Sequence, residues 1–206
     1  MRTVLGLLGA GIVMLHRLVR LPVGSSGQHV PLAEQLQVTL GEGPCLSSAA
    51  HGRAMASSQA ALTLGWPVYG GALVAHTPFR SILSFPLRRS GTVFGALDAY
   101  GTDPEPPQEW PLEVIESEVM ELVGGLLLAG LPEPGDPLGS GASPELEERY
   151  EVYVALGMVM QAADLEELDA LAVLRAYAFR TGTLLDTVAG RMVDGALGTG
   201  EVLGTH

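Results

Sequence analysis

The sequence predicts an α+β fold in two parts: a sheet-and-helix domain over residues 1–131, and a small all-α three-helix domain over 144–196. Three observations lead there. Two β-like runs, Arg80–Leu87 (RSILSFPL) and Thr92–Tyr100 (TVFGALDAY), are joined by a short Arg-Arg-Ser-Gly turn, a hairpin signal. The stretch 132–143 is rich in Pro and Gly, has no periodicity, and reads as a linker. Beyond it, three segments carry helix start and stop signals.

The elements follow in chain order. MRTVLGLLGAGIVML has one Arg followed by 13 uncharged, largely apolar residues, which suits either a secretory leader or a buried first strand. His16, Arg17 and Arg20 follow without a small-residue cleavage site, and a membrane span needs about 20 apolar residues. A strand at Gly11–Val19 is therefore expected, closed by the turn-rich PVGSSGQ (22–28). LAEQLQVTLGEGPCLSSAAHG then reads as helical around a Gly-Glu-Gly-Pro turn. After the hairpin, Pro104, Pro106, Pro107 and Pro111 break the chain. Leu112, Ile115, Val119, Leu122 and Leu126 then recur at helical spacing, with Glu113, Glu116, Glu118 and Glu121 between them. That stripe packs on the sheet or seams a homodimer; core packing is the simpler expectation.

Past the linker, Ser143-Pro144 supplies an N-cap and an N1 proline, and Glu145, Glu147 and Glu148 suit the positive end of the helix dipole. Asp164 with Glu167 reads as a capping box opening a second helix to about Arg180. Gly182 closes it, and Thr183 with Asp186 starts a third. Residues 197–206 are expected to be a flexible tail.

Composition narrows the function. All 11 cationic residues are Arg, there is no Asn, and the net charge is −12, which opposes nonspecific adhesion to nucleic acid or anionic membrane. The missing Lys and Asn, both encoded by A-rich codons, suggest a high-GC, bacterial genome. A single Cys45 excludes an intrachain disulfide and suits a reducing, cytoplasmic compartment. His16, His29, His51, His76 and His206 are scattered without metal-ligand spacing, and no GxSxG, P-loop or GxGxxG motif occurs. A Cys45 nucleophile or redox centre, with His51 or His76 as base, is the one catalytic arrangement available, against the reading of Cys45 as a packing residue. No enzyme, no cofactor and no metal are expected.

Two segments carry a resemblance. Leu36, Gln37, Leu40, Gly41, Glu42, Gly43, Pro44 and Cys45, with Trp66-Pro67, Arg80, Ser81 and Gly95-Ala96-Leu97, resemble the GAF domains of actinobacterial regulators over about residues 10–130. Such domains have a further N-terminal helix that is missing or vestigial here, so a shortened N-terminus is expected. The resemblance implies an antiparallel sheet with flanking helices and a pocket for an unknown small-molecule ligand or protein, with Glu42 and Cys45 near its rim. The residues themselves also allow Gly41-Glu42-Gly43-Pro44 to be a structural turn.

Residues 149–193 resemble an ANTAR domain, the three-helix RNA-binding module of transcription antiterminators. Arg149, Val152, Ala155, Gly157 and Met160 fit its first helix, and Ala170, Leu174, Arg175 and Ala178 its second. Leu185, Val188, Ala189, Met192 and Val193 fit its third. Leu156 stands where the family has Lys, and Gly182, Thr183 and Leu184 replace its basic residues. Residues 143–195 hold ten acidic residues against four Arg, a net of −6. The resemblance implies a dimeric signal-responsive regulator binding RNA hairpins in nascent transcripts through Arg149, Arg175, Arg180 and Arg191. The lost charge implies an alternative: an adaptor whose helical module dimerises or binds protein without RNA.

Overall fold

The computed structural model describes residues 7–16, 18–89, 91–107, 111–130 and 144–205. Five antiparallel strands, β1 (Leu7–His16), β2 (Val19–Ser26), β3 (Met55–Ser57), β4 (Ser81–Arg89) and β5 (Thr92–Gly101), form one sheet in the order β2-β1-β5-β4-β3. The hairpin of β4 and β5 is the one the sequence predicts. The N-terminal expectation needs correction, because the turn falls after His16 and Pro22–Ser26 belong to β2. Pro22 is tolerated there because β2 is an edge strand, and its partner Val13 adjoins a register shift.

Side chains alternate across the sheet. Leu83, Phe85, Leu97 and Ala99 face α5 (Leu112–Gly130), where Leu112, Ile115 and Val119 cover them. Leu112, Ile115 and Val119 of the α5 stripe thus pack, half-buried, on the sheet; the side chains of Leu122 and Leu126 lie outside those described. On the opposite face lie α1 (Val30–Leu40), α2 (Pro44–His51), α3 (Gln59–Gly65) and α4 (Pro67–His76), with Val30, Leu62, Tyr69, Leu73, Phe79, Ile82 and Tyr100 as core. β1 presents Gly9 and Gly11 to α1. A Cβ at Gly9 would lie 2.6 Å from Val30 Cγ2, and one at Gly11 2.6 Å from Glu34 Oε1. The described part of the apolar N-terminal run, from Leu7, is therefore a strand kept bare at Gly9 and Gly11 so that a helix can settle on it.

The C-terminal part consists of α6 (Pro144–Ala163), α7 (Glu167–Thr181), α8 (Leu185–Val193) and α9 (Thr199–Leu203). The linker 132–143, with its Ser143 cap, lies outside the described residues. Gly182 ends α7 at φ 64°, as expected. The Asp164/Glu167 capping box does not form: Asp164 takes a left-handed φ of 52°, and Glu166 becomes the N-cap without a side-chain bond. The expected loose tail is instead α9, held because Leu197 and Val202 are buried in the helical core. Gly157 is not a close-packing residue, since a Cβ there would meet nothing within 4 Å.

The helices share their core with the sheet domain. Val152, Ala155, Leu156, Val159, Leu174, Leu185 and Val188 pack in one cluster with Val19 of β2 and Val38 of α1. Among the described residues, no helix is long and apolar enough to cross a membrane.

Candidate functional site

Beneath α1 and α2 the sheet carries a buried polar cluster. The alternation of β5 that buries Ala96 and Tyr100 places Asp98 between them on the same face, 1% exposed. Helical spacing brings Glu34 and Gln37 of α1 down onto it. Gln37 Nε2 donates to Asp98 Oδ2 at 2.6 Å and Tyr100 OH donates to Glu34 Oε1 at 2.8 Å, both buried. Gln37 Oε1 accepts the backbone N–H of Cys45 at 3.0 Å, which ties α1 to the start of α2. Ser84, opposite Asp98 on β4, lies close enough to favour its anion, yet neither Ser84 Oγ nor Asp98 Oδ1 completes a hydrogen bond. Arg20 of β2 is buried nearby, with Nε and Nη1 unpartnered.

Burial dominates the electrostatics. It raises Glu34 to about 8, with the Asp98 charge adding to the shift and the Tyr100 hydrogen bond and Arg20 opposing it. Burial likewise raises Asp98 and pushes the Cys45 thiol well up, with Asp98 again adding to the thiol's shift. Cys45 is fully buried, and its thiol faces the Glu34 and Asp98 carboxylates; one ligand atom from each of the three lies within 4.8 Å of the others.

A pocket of about 250 Å³ opens beside this cluster. Gly11, Val13, Pro22 and Gly24 of the β1–β2 hairpin, Glu34 of α1 and Arg149 of α6 line it. It is mostly apolar, with the Arg149 guanidinium and the Glu34 carboxyl as its ionisable groups, and the sheet domain and the C-terminal helices contribute jointly to its wall.

The residues singled out from sequence fall in three places. Cys45 joins the buried cluster. Glu42 does not: its Oε1 accepts the N–H of Tyr69 at 2.7 Å, satisfying the open N-terminus of α4. Gly43 adopts φ 145° where a Cβ would collide with the Gln37 amide, so the Gly-Glu-Gly-Pro segment acts as a turn that seats α2.

Arg149 is 3% exposed. It bonds Asp186 of α8 through Nε at 2.6 Å and Nη2 at 3.3 Å, and its Nη1 donates to Arg20 O at 2.8 Å. Arg175 Nε donates to Val38 O at 2.9 Å, its guanidinium lying where a Cβ at Gly41 would otherwise crowd it. Burial lowers the Arg175 pKa, with Arg20 and Arg149 adding to the shift. Arg180 and Arg191 are exposed. Arg180 lies 5.0 Å over the Tyr177 ring, next to Phe179, itself 65% exposed.

Further bonds join the helices to the sheet domain. Tyr153 OH donates to His16 O at 2.6 Å, with Val19 O at 3.1 Å. Thr39 Oγ1 accepts the N–H of Leu185 at 2.9 Å and so caps α8 from α1.

Sequence reasoning missed Glu34, Gln37, Asp98 and Arg20. The signal was present for the two acids: Glu34 is a lone charge in LAEQLQV and Asp98 a lone charge in GTVFGALDAY, both otherwise uncharged runs.

Residues 1–127 match the family model for the GAF domain. No curated protein matches the chain. Among solved structures the chain is similar to a type II free methionine-R-sulfoxide reductase from Thermoplasma acidophilum, at 14% identity and a TM-score of 0.44, covering 63% of this chain and 84% of that one. It is also similar to a GAF domain/HD domain protein from Geobacter sulfurreducens, at 16% identity and a TM-score of 0.44, covering 63% and 87%. Likenesses this distant transfer no activity.

Proposed function

The chain belongs to the GAF domain family, and on that premise we propose that it is a signal-responsive transcription regulator: its sheet domain senses a small ligand, and its ANTAR-like helices bind RNA hairpins. Membership of this family supports a role in signalling or ligand binding. The observation that carries the control step is the pocket walled by both parts, where an occupant touches Glu34 of the sensor and Arg149 of α6 together. Any ligand preferring one arrangement of the two parts shifts the equilibrium between them by its difference in affinity.

In the docked arrangement Arg149 and Arg175 are committed to Asp186, Arg20 O and Val38 O, and this is the RNA-silent state. Arg180 and Arg191 are the exposed cations left to meet phosphates, and Phe179 offers a face on which an unpaired base stacks. Release of the helices from the sensor frees Arg175 to join them. The output is non-catalytic, and two released helical modules pair on RNA as a homodimer.

A second reading is favoured by a specific observation. Two of the four arginines hold the interface, within a region of net charge −6. On that reading the helices are a protein-interaction module and the chain is an adaptor. Filter binding with two-hairpin RNAs at low salt separates the readings. Saturable binding whose salt slope falls by about 1 in Arg180→Ala and in Arg191→Ala supports the regulator. Absence of saturable, salt-sensitive binding under all ligand conditions leaves the adaptor.

A further inference from the structure

We propose that Glu34, Cys45 and Asp98 bind one divalent transition-metal ion of the borderline class, such as zinc or iron, in the core of the sensor domain. Three elements deliver three different donors to one point: α1 a carboxylate, the first turn of α2 a thiol, and β5 a second carboxylate. Their donor atoms lie within 4.8 Å of one another. Bonds of about 2.0–2.3 Å to a shared ion draw such atoms together with only small side-chain shifts.

Ordinary packing leaves the cluster incomplete. Asp98 Oδ1 is buried and completes no hydrogen bond, although the Ser84 hydroxyl and the Cys45 thiol lie close to the carboxylate and buried polar atoms are nearly always paired. An ion supplies what it lacks. The groups behind the donors act as an outer shell: Gln37 Nε2 holds Asp98 Oδ2, and Tyr100 OH holds Glu34 Oε1, so that both carboxylates are oriented.

Charge balance selects the ion. A thiolate and two carboxylates, set against a divalent cation and the neighbouring Arg20 guanidinium, come to neutrality inside a low-dielectric core. The thiolate favours a borderline transition ion over magnesium or calcium, which take oxygen donors. Three protein ligands leave a coordination position open. Glu34 belongs both to the cluster and to the wall of the 250 Å³ pocket, so the site adjoins that pocket through this side chain.

The site stands apart from the RNA reading, since its test contains no RNA. The full chain, stripped with chelator and kept reduced, is titrated with Co²⁺. The expected result is one equivalent bound, with a thiolate-to-cobalt charge-transfer absorption displaced by one equivalent of Zn²⁺. Cys45 is the sole cysteine, so that band reports it directly on the unaltered sequence. Asp98→Asn and Glu34→Gln, near-isosteric changes, are each expected to weaken Co²⁺ binding at least about tenfold, the scale on which even outer-shell changes act. Absence of the band at stoichiometric cobalt overturns the proposal. Binding of unchanged affinity in both variants overturns it equally.

Discussion

Arg149 donates two hydrogen bonds to the Asp186 carboxylate at a site where both side chains are almost wholly excluded from water. Removing one partner leaves a buried charge uncompensated, at a cost of about 3–5 kcal/mol. Arg149→Ala is therefore expected to lose stability on that scale in urea denaturation. The double change Arg149→Met with Asp186→Leu recovers most of the loss, because an apolar pair of similar volume does not need the missing charge. Glu34 gives a pH prediction for the metal-stripped protein. Its folded pKa of about 8 lies above the ordinary 4.5, so the unfolded chain releases its proton first. Stability then falls as pH rises from about 4.5 to about 8 and levels off above, and Glu34→Gln flattens that decline. The acids of the cluster were legible as single charges in apolar runs; their meeting was not. Glu34 and Asp98 come together through α1 lying on β5, and no spacing rule spans a separation of 64 positions. Arg149 is the converse case. Its motif position was legible, but its destination depends on Asp186 of another helix and on a backbone carbonyl of β2.

At the scale of elements, α6 shows what Leu156 does at the position where the resembled family has Lys. Leu156 is 2% exposed and packs in the core shared with Val19 and Val38, so an aliphatic side chain there serves docking. Restoring the charge by Leu156→Lys would bury an ammonium without a partner. The expected outcome is a loss of about 3 kcal/mol or more by denaturation, with retained secondary structure if the helices merely detach. The start of α8 depends on α1: Leu184, its N-cap residue, makes no side-chain cap bond, and Thr39 supplies the acceptor instead. Thr39→Val keeps the shape and removes the oxygen, and is expected to cost about 1 kcal/mol. These contacts explain why helix existence was readable while some boundaries were not. Gly182 marked the end of α7 correctly, but the apparent box of Asp164 and Glu167 gave way to a left-handed Asp164. The Gly-rich tail became α9 because only tertiary burial of Leu197 and Val202 favours it.

For the whole molecule, the two parts share one hydrophobic cluster, a helix cap and the wall of a pocket. If the helices are the proposed output, sensor and output exchange free energy through this interface itself, with no need for the linker to carry a signal. On the proposed function the same contacts set the state of the output: while α1 and β2 hold Arg175 and Arg149, those two cations are withheld from RNA. The most direct measurement is RNA binding by a variant that loosens docking from the sensor side alone. Val38 of α1 is buried in the shared cluster, so Val38→Glu is expected to detach the helices without altering any of their residues. Titration of two-hairpin RNA at low salt is expected to give affinity at least about tenfold above that of the unaltered chain, with a steeper salt dependence. Val38→Glu with Arg180→Ala should lose that gain. Equal or absent RNA binding in the unaltered and Val38→Glu chains, with the helices shown to be detached and folded, would contradict the account.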